Sequence, residues 1–197
     1  MSEEIKQCLL LAAGFSSRMG RWKMMQPWEN ATVLDCALNN ALSFCERVIL
    51  VTGYRGEALR QRYAGRSDIT LCHNPNYARG MFSSIRCGAR HLLPGAFFVV
   101  PGDMVLLTEA IYAALWRQRA RRLCLVPEYN GGYGHPVLLP DKMRRSILAA
   151  EEEDNLKRLI LLHGRQAVRV DSQAIHCDLD TPAQYEQLKR ATADHTF

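Results

Sequence analysis

Two cations flank a loop of small residues near the start of this 197-residue chain. The stretch reads Leu11-Ala12-Ala13-Gly14-Phe15-Ser16-Ser17-Arg18-Met19-Gly20-Arg21-Trp22-Lys23, directly after the apolar Cys8-Leu9-Leu10. Free backbone N–H groups around Gly14, Ser16 and Ser17, with Arg18 and Lys23 beside them, suit a polyphosphate, which needs donors and neutralising charge at close range. The loop is not a Walker motif, because five residues separate Gly14 from Gly20 and Arg21 follows. That motif has four residues there and then Lys. The dinucleotide fingerprint G-x-G-x-x-G is also absent. The glycines alone fit an ordinary strand-to-helix turn better; the paired cations shift the reading toward a ligand.

Further segments carry groups able to do chemistry. Pro101-Gly102-Asp103-Met104 follows the apolar Phe97-Phe98-Val99-Val100. Asp103 there can hold Mg²⁺ or cap the next turn, and its position does not separate the two. In Ile175-His176-Cys177-Asp178-Leu179-Asp180-Thr181-Pro182, alternation puts Asp178 and Asp180 on one face of an extended segment. Asp180 also suits the cap of a helix starting near Pro182. The turn Asn74-Pro75-Asn76-Tyr77-Ala78-Arg79-Gly80-Met81-Phe82-Ser83-Ser84 brings Gly80, Ser83 and Ser84 to a positive helix end, where an anion or sugar hydroxyls can dock. A plain structural turn accounts for any one of these residues as well. Asn130-Gly131-Gly132-Tyr133-Gly134-His135-Pro136 reads as a mobile glycine loop that can close over a substrate, with His135 a candidate ligand or acid–base group.

The elements that must position these groups alternate along the chain. Leu9–Ala12, Val48–Thr52, Ile69–Cys72, Phe97–Pro101, Leu123–Val126, Val137–Leu139, Ala167–Val170 and Ile175–Asp178 read as strands. Leu34 to Cys45, Gly56–Tyr63, Gly80–Leu92, Thr108–Arg119, Asp141–Ala150, Asp154–His163 and Pro182–Ala193 read as helices, with Glu151–Asp154 the solvated start of one of them. Such alternation predicts an α/β fold with a mainly parallel sheet covered on both faces. Ligands of open sheets bind at the carboxyl ends of the strands, where the loop after Leu11 and the turn at Asp103 both lie.

Composition narrows the class. A hydrophobic share of 48% with 23% charged residues predicts a soluble globular domain, and no apolar run approaches the length of a membrane span. The start, Met1-Ser2-Glu3-Glu4, lacks the layout of a signal peptide, so a cytoplasmic location is expected. Seven scattered cysteines argue against a disulfide framework or zinc site. The net charge of +5 permits nucleic-acid binding. The dense run Arg117-Gln118-Arg119-Ala120-Arg121-Arg122 nevertheless reads as a solvated helix end, and a small anionic substrate accounts for the charge without nucleic acid.

As an ordered set, the motifs resemble the MobA-like nucleotidyltransferase family, and within it the molybdenum cofactor cytidylyltransferases. The matching segments are Leu11-Ala12-Ala13-Gly14-x-Ser16-x-Arg18-Met19-Gly20-x-x-Lys23, Asn74-Pro75-x-Tyr77-x-x-Gly80-Met81-x-x-Ser84-Ile85, Gly102-Asp103-Met104, Gly134-His135-Pro136 and Asp178-Leu179-Asp180-Thr181-Pro182. The resemblance implies one domain over residues 1–197, a three-layer α/β/α Rossmann-like fold with a mainly parallel, mixed sheet. It implies Mg²⁺-dependent transfer of CMP from CTP to the terminal phosphate of molybdenum cofactor (molybdopterin), with release of pyrophosphate. Carried over by motif, Leu11, Ala12, Ala13, Gly14, Ser16, Ser17, Asn74, Gly80 and Ser84 would hold the nucleotide. Arg18, Lys23 and Asp103 would be catalytic, Asp103 and Asp180 would bind the metal, and Gly134, His135, Pro136 and Asp178 would face the acceptor. Ala13 looks like the cytidine-using branch. The alternatives are GTP as donor, a sugar phosphate or other phosphorylated acceptor, and a non-catalytic cofactor carrier serving a client molybdoenzyme. The chain departs from the family pattern at Gln26, Val105 and Glu153-Asp154-Asn155-Leu156.

Overall fold

A computed structural model of the chain describes residues 4–119 and 122–193, so Met1–Glu3 of the expected acidic start and Ala120–Arg121 of the basic run lie outside the described residues. The elements follow in the order β1 (Gln7–Ala12), β2 (Pro27–Trp28), β3 (Ala31–Thr32), α1 (Val33–Leu42), β4 (Arg47–Thr52), α2 (Gly56–Tyr63), β5 (Ile69–His73), α3 (Met81–Ala89) and β6 (Phe97–Pro101). They continue with α4 (Glu109–Trp116), β7 (Cys124–Tyr129), β8 (Gly132–Tyr133), β9 (Val137–Leu139), α5 (Lys142–Ala149), α6 (Leu156–His163), β10 (Arg165–Arg169) and α7 (Pro182–Ala193).

The main sheet has the order β10-β7-β9-β6-β1-β4-β5, with β8 hydrogen-bonded to β7. β1 pairs in parallel with β4 and β6, and β4 with β5, while β9 runs antiparallel to β6 and β7. Period-2 alternation along β1 explains why a nearly unbroken apolar run was needed. Cys8, Leu10 and Ala12 point into one apolar layer with Leu34, Leu38, Tyr112 and Leu115. Leu9 and Leu11 point into the opposite layer with Phe82, Ile85, Met143 and Ile147. Helices α1 and α4 thus cover one face and α3 and α5 the other, giving the expected three layers. Among the described residues no helix is long and apolar enough to cross a membrane.

Three expectations need correction. The segment Ile175–Asp178 is not a strand: Gln173–His176 form a 3₁₀ turn, and the following residues are extended without pairing in a sheet. Its backbone is engaged elsewhere, since the Ile175 carbonyl accepts from the His135 amide at 3.0 Å and the Ala174 carbonyl from Cys177 at 3.2 Å. The glycine-rich stretch is not a free loop either. Asn130 and Gly131, both with positive φ, turn a tight hairpin in which Glu128 pairs with Tyr133 and Tyr129 with Gly132. The acidic run at Glu151–Asp154 precedes α6 instead of starting it, because Asn155 takes the N-cap and accepts from the Arg158 amide at 2.9 Å.

One charge couples α1 to α2. Asp35 completes a capping box with Thr32 and also accepts from Arg62 at 2.5 Å and from the Tyr63 hydroxyl at 2.8 Å. Burial alone would raise its pKa, but the hydrogen bonds from Arg62, Thr32 and Tyr63 hold it at about 2. Because the folded value is depressed, the stabilisation is complete above the ordinary carboxylate range and is lost as pH falls toward 2. We expect Asp35→Asn to lower the unfolding free energy at pH 7 by about 2 kcal/mol. Urea titrations should then show a smaller loss of stability between pH 5 and pH 3 in the variant than in the parent.

Candidate active site

The loop leaving β1 folds on itself before it reaches its cations. Ser16 sits in the left-handed region and its hydroxyl accepts from the Lys23 amide at 3.1 Å, closing the loop across 3₁₀ turns at Ser17–Met19 and Lys23–Met25. Met19 is buried and acts as the loop's anchor, so its neighbour Arg18 projects outward with 70% of its side chain exposed. Lys23 points the other way, into the protein.

There it meets carboxylates from two distant segments. The Lys23 Nζ donates to Asp103 Oδ2 at 2.5 Å and to Asp180 Oδ1 at 3.0 Å, and Arg18 reaches Asp180 at 2.6 Å. Carboxylate oxygens of Asp103, Asp178 and Asp180 all lie within 4.8 Å of one another. Like charges this close need counter-charge, and the titration behaviour reflects it. Burial, and then the charges of Asp180 and Asp103, raise the Asp178 pKa. Burial would raise Asp180 too, but the hydrogen bond and charge of Lys23, with help from Arg18, hold it below the usual range. Lys23 is raised in turn: burial works against its charge, and Asp103 and Asp180 outweigh it.

Backbone contacts place these groups. The Gly102 amide donates to the Leu11 carbonyl at 2.8 Å, and a Cβ on Gly102 would sit 3.0 Å from that oxygen, so the Asp103 turn is held against the end of β1. Asp103 turns its carboxylate to Lys23 rather than capping the turn. Asp180 does not cap α7 either; Thr181 does, its hydroxyl accepting from the Gln184 amide at 3.3 Å. Between the two aspartates, Leu179 is fully buried with Met19, Trp28, Val33, Val105 and Tyr185. Val105, where the family pattern has Pro, is part of that packing, and its carbonyl accepts from Asn40 at 2.7 Å.

The sequence-expected residues separate into distinct locations. Leu11, Ala13, Gly14, Arg18, Lys23, Gly80, Ser84, Asp103, Asp178 and Asp180 line one solvent-open cleft of about 330 Å³, within the range of small-molecule sites. Ala12 is sealed in the core. Ser16 and Ser17 shape the loop, and Asn74 stands behind the cleft, donating to Ser83 at 2.9 Å and to Ser84 at 3.0 Å. Gly134 and His135 face an adjoining, mainly apolar groove of about 600 Å³, and Pro136 is buried. Burial holds His135 below its ordinary pKa against the pull of the Val99 backbone and Asp103, so it is a neutral imidazole at neutral pH. Its Nδ1 has no hydrogen-bond partner among the described residues. Asp178, expected to face an acceptor, stands among the carboxylates. Phe15, Tyr77 and Met81 also line the cleft; Tyr77 and Met81 belong to the matched motif, but none of the three has a role assigned from sequence. Phe15 packs on Tyr77 and Tyr54 at ring distances of 5.0 and 5.4 Å, and an aromatic set amid glycines and serines was the available signal.

The carboxylates also depend on Gly134. Its amide donates to the Pro127 carbonyl at 3.0 Å, and a Cβ there would lie 2.1 Å from the Ile175 carbonyl oxygen. The turn preceding Asp178 is thereby seated directly on the glycine. We expect Gly134→Ala to cost roughly 2–3 kcal/mol of stability and to weaken Mn²⁺ binding in an EPR titration of the protein without nucleotide. An unchanged urea midpoint would show that the seating does not matter.

Residues 8–169 match the model of the MobA-like NTP transferase domain family. The chain is 40% identical over 182 residues to the molybdenum cofactor cytidylyltransferase of Escherichia coli strain K12, covering 92% of this chain and 94% of that protein. Its fold superposes on Rv0371c of Mycobacterium tuberculosis H37Rv with a TM-score of 0.83 at 23% identity, covering 96% of this chain and all of the other. It also superposes on a nucleotidyl transferase from Methanothermobacter with a TM-score of 0.80 at 17% identity, covering 96% and 98%.

Proposed function

Since the chain belongs to the MobA-like NTP transferase family, we propose that it transfers CMP from CTP to the terminal phosphate of molybdenum cofactor with Mg²⁺, releasing pyrophosphate. The observation that carries this reading is the meeting of Lys23 and Arg18 with three carboxylates at the edge of a solvent-open cleft. The name of the Escherichia coli relative supports cytidine as the base and molybdenum cofactor as the acceptor.

Asp103, Asp178 and Asp180 form an all-oxygen set that fits a hard divalent cation, and they are the residues that would hold Mg²⁺. When bound, the ion supplies Lewis-acid polarisation of the α-phosphate. The remaining work belongs to the chain. The open backbone at Gly14, where an added Cβ would meet nothing within 4 Å, leaves room for a triphosphate beside Ala13. Lys23 and Arg18, relieved of the carboxylates, turn to the phosphates and neutralise the charge that builds as an acceptor oxygen attacks the α-phosphorus and the bond to the β-phosphate breaks. The attacking phosphate oxygen is already anionic, so no general base is required. Positioning of the two substrates is the main contribution.

The adjoining groove bears on the acceptor. Its walls are Phe82, Ile85, Leu156 and Leu161, and its polar edge carries Lys157 and Arg165, the latter 4.0 Å over the Tyr133 ring. Apolar walls with cations at the edge favour a fused heterocycle bearing a phosphate over a hydroxyl-rich sugar phosphate, whose hydroxyls would go unpaired there.

The test is incubation with molybdenum cofactor, Mg²⁺ and each of the four NTPs, followed by nucleotide analysis of the product. A cytidine product is expected. A guanosine product would replace the donor, and tight cofactor binding without turnover of any NTP would leave a carrier. We further expect Asp103→Asn and Lys23→Met each to lower pyrophosphate release roughly 10²–10³-fold while near-UV circular dichroism shows an intact fold. Full activity in either variant overturns the mechanism.

A further inference from the structure

Cys72 and Cys87 bring their sulfur atoms to 3.2 Å, and the chemistry proposed above uses neither. Cys72 lies on β5, the edge strand of the sheet, with its side chain buried in the layer beneath α3. Cys87 lies on α3, half-buried, and opens onto a surface pocket lined also by Asn74, Arg86 and Arg90. A disulfide needs about 2.05 Å between its sulfurs, so a movement of about 1 Å would complete the bond. Cys8 and Cys45 also interact, but both are sealed in the core at 0% and 3% exposure, out of reach of an oxidant.

The position of the pair gives such a bond a consequence. Cys72 precedes Asn74 by two residues and Cys87 follows Ser84 by three. The two thiols therefore bracket the turn in which Asn74 holds Ser84, and on which Tyr77, Gly80 and Met81 reach the nucleotide cleft. We propose that Cys72 and Cys87 are a reversible oxidation site whose disulfide clamps the nucleotide-holding turn. The clamp rests on the nucleotide reading given above; the disulfide itself does not.

A peroxide is the oxidant class the pocket admits. The Cys87 sulfur attacks one peroxide oxygen, the O–O bond breaks, and water leaves to give a sulfenic acid. The Cys72 sulfur then attacks the Cys87 sulfur, the S–O bond breaks, and the Cys72 proton departs with hydroxide as a second water. Two thiols and one hydrogen peroxide thus yield one disulfide and two waters. Cys87 reacts first because its sulfur opens onto the pocket, whereas Cys72 is buried beneath it and its thiol is pushed up to about 12 by burial and by the neighbouring Cys87.

The test treats the full chain with hydrogen peroxide, blocks remaining thiols, and maps peptides by mass spectrometry. Thermal unfolding and CTP titration are followed before and after dithiothreitol. The expected results are a Cys72–Cys87 cross-linked peptide two hydrogens lighter, a melting temperature raised by roughly 5–10 °C, and CTP affinity changed about tenfold by a displacement near 1 Å. All three should reverse on reduction and be missing in Cys87→Ser and in Cys72→Ala. Oxidation that stops at a Cys87 sulfinic acid, or leaves both thiols free, overturns the site. A cross-link with unchanged CTP affinity overturns the clamp. If the reduced chain does not bind CTP, the nucleotide reading fails, and the disulfide stands or falls on the cross-link and the thermal shift.

Discussion

The carboxylates of Asp103, Asp178 and Asp180 repel one another at the separations this fold imposes, and the Lys23 amino group among them makes the arrangement tolerable. At 4.8 Å each unscreened pair costs about 3 kcal/mol at an effective dielectric near 20. A cation 2.5 Å from Asp103 and 3.0 Å from Asp180 offsets most of that. The requirement propagates outward. Lys23 must enter from the side, so the loop after β1 has to double back, and the Ser16 hydroxyl on the Lys23 amide fixes that reversal. The charge stored on Lys23 is also the charge a triphosphate needs, so the resting arrangement and the working one share a single side chain.

Behind the charges lies an apolar counterpart. Met19, Trp28, Val33, Val105, Leu179 and Tyr185 come from different segments, and the segments that carry Arg18, Asp103, Asp178 and Asp180 each contribute a residue to the cluster. Arg18 directly precedes Met19, Asp103 lies two residues before Val105, and Leu179 is buried between Asp178 and Asp180. Polar groups on neighbouring residues of an extended segment point to opposite faces. Burying Leu179 therefore aims both flanking carboxylates the same way. The Tyr185 hydroxyl, donating to the Pro27 carbonyl, ties α7 to the small hairpin on the other side of the cluster.

Much of this was readable in the amino acids. The apolar runs around Leu10, Leu50 and Val99 are dense and sharply bounded, and they became the central parallel strands. The functional loops at their carboxyl ends followed from that assignment. Failures arose where one local signal had two physical readings. Ile175 is apolar and buried, yet a 3₁₀ turn buries it as well as a strand would. Asn130-Gly131 is a strong hairpin signal, but the glycines after it suggested an open loop. Strands of two residues, such as Pro27–Trp28, carry no periodicity to detect. Asp180 and Thr181 are both good caps, and the choice between them was made by Lys23, far away in sequence. Phe15 is an exposed aromatic with no periodic neighbours, and only the folding of Tyr54 and Tyr77 against it makes its ring part of the cleft.

That long reach has a bearing on how the protein is made. Lys23 and Asp180 are 157 positions apart, and Tyr185 closes on Pro27 across 158. During synthesis on the ribosome, β1, β4, β5 and β6 can pair and bury their apolar faces while the segment bearing Asp178 and Asp180 is still untranslated. A nascent chain at that stage has a sheet and the beginnings of a cleft, with Lys23 facing Asp103 alone. The full set of charges is therefore assembled only when the segment carrying Asp178 and Asp180 has docked against the sheet.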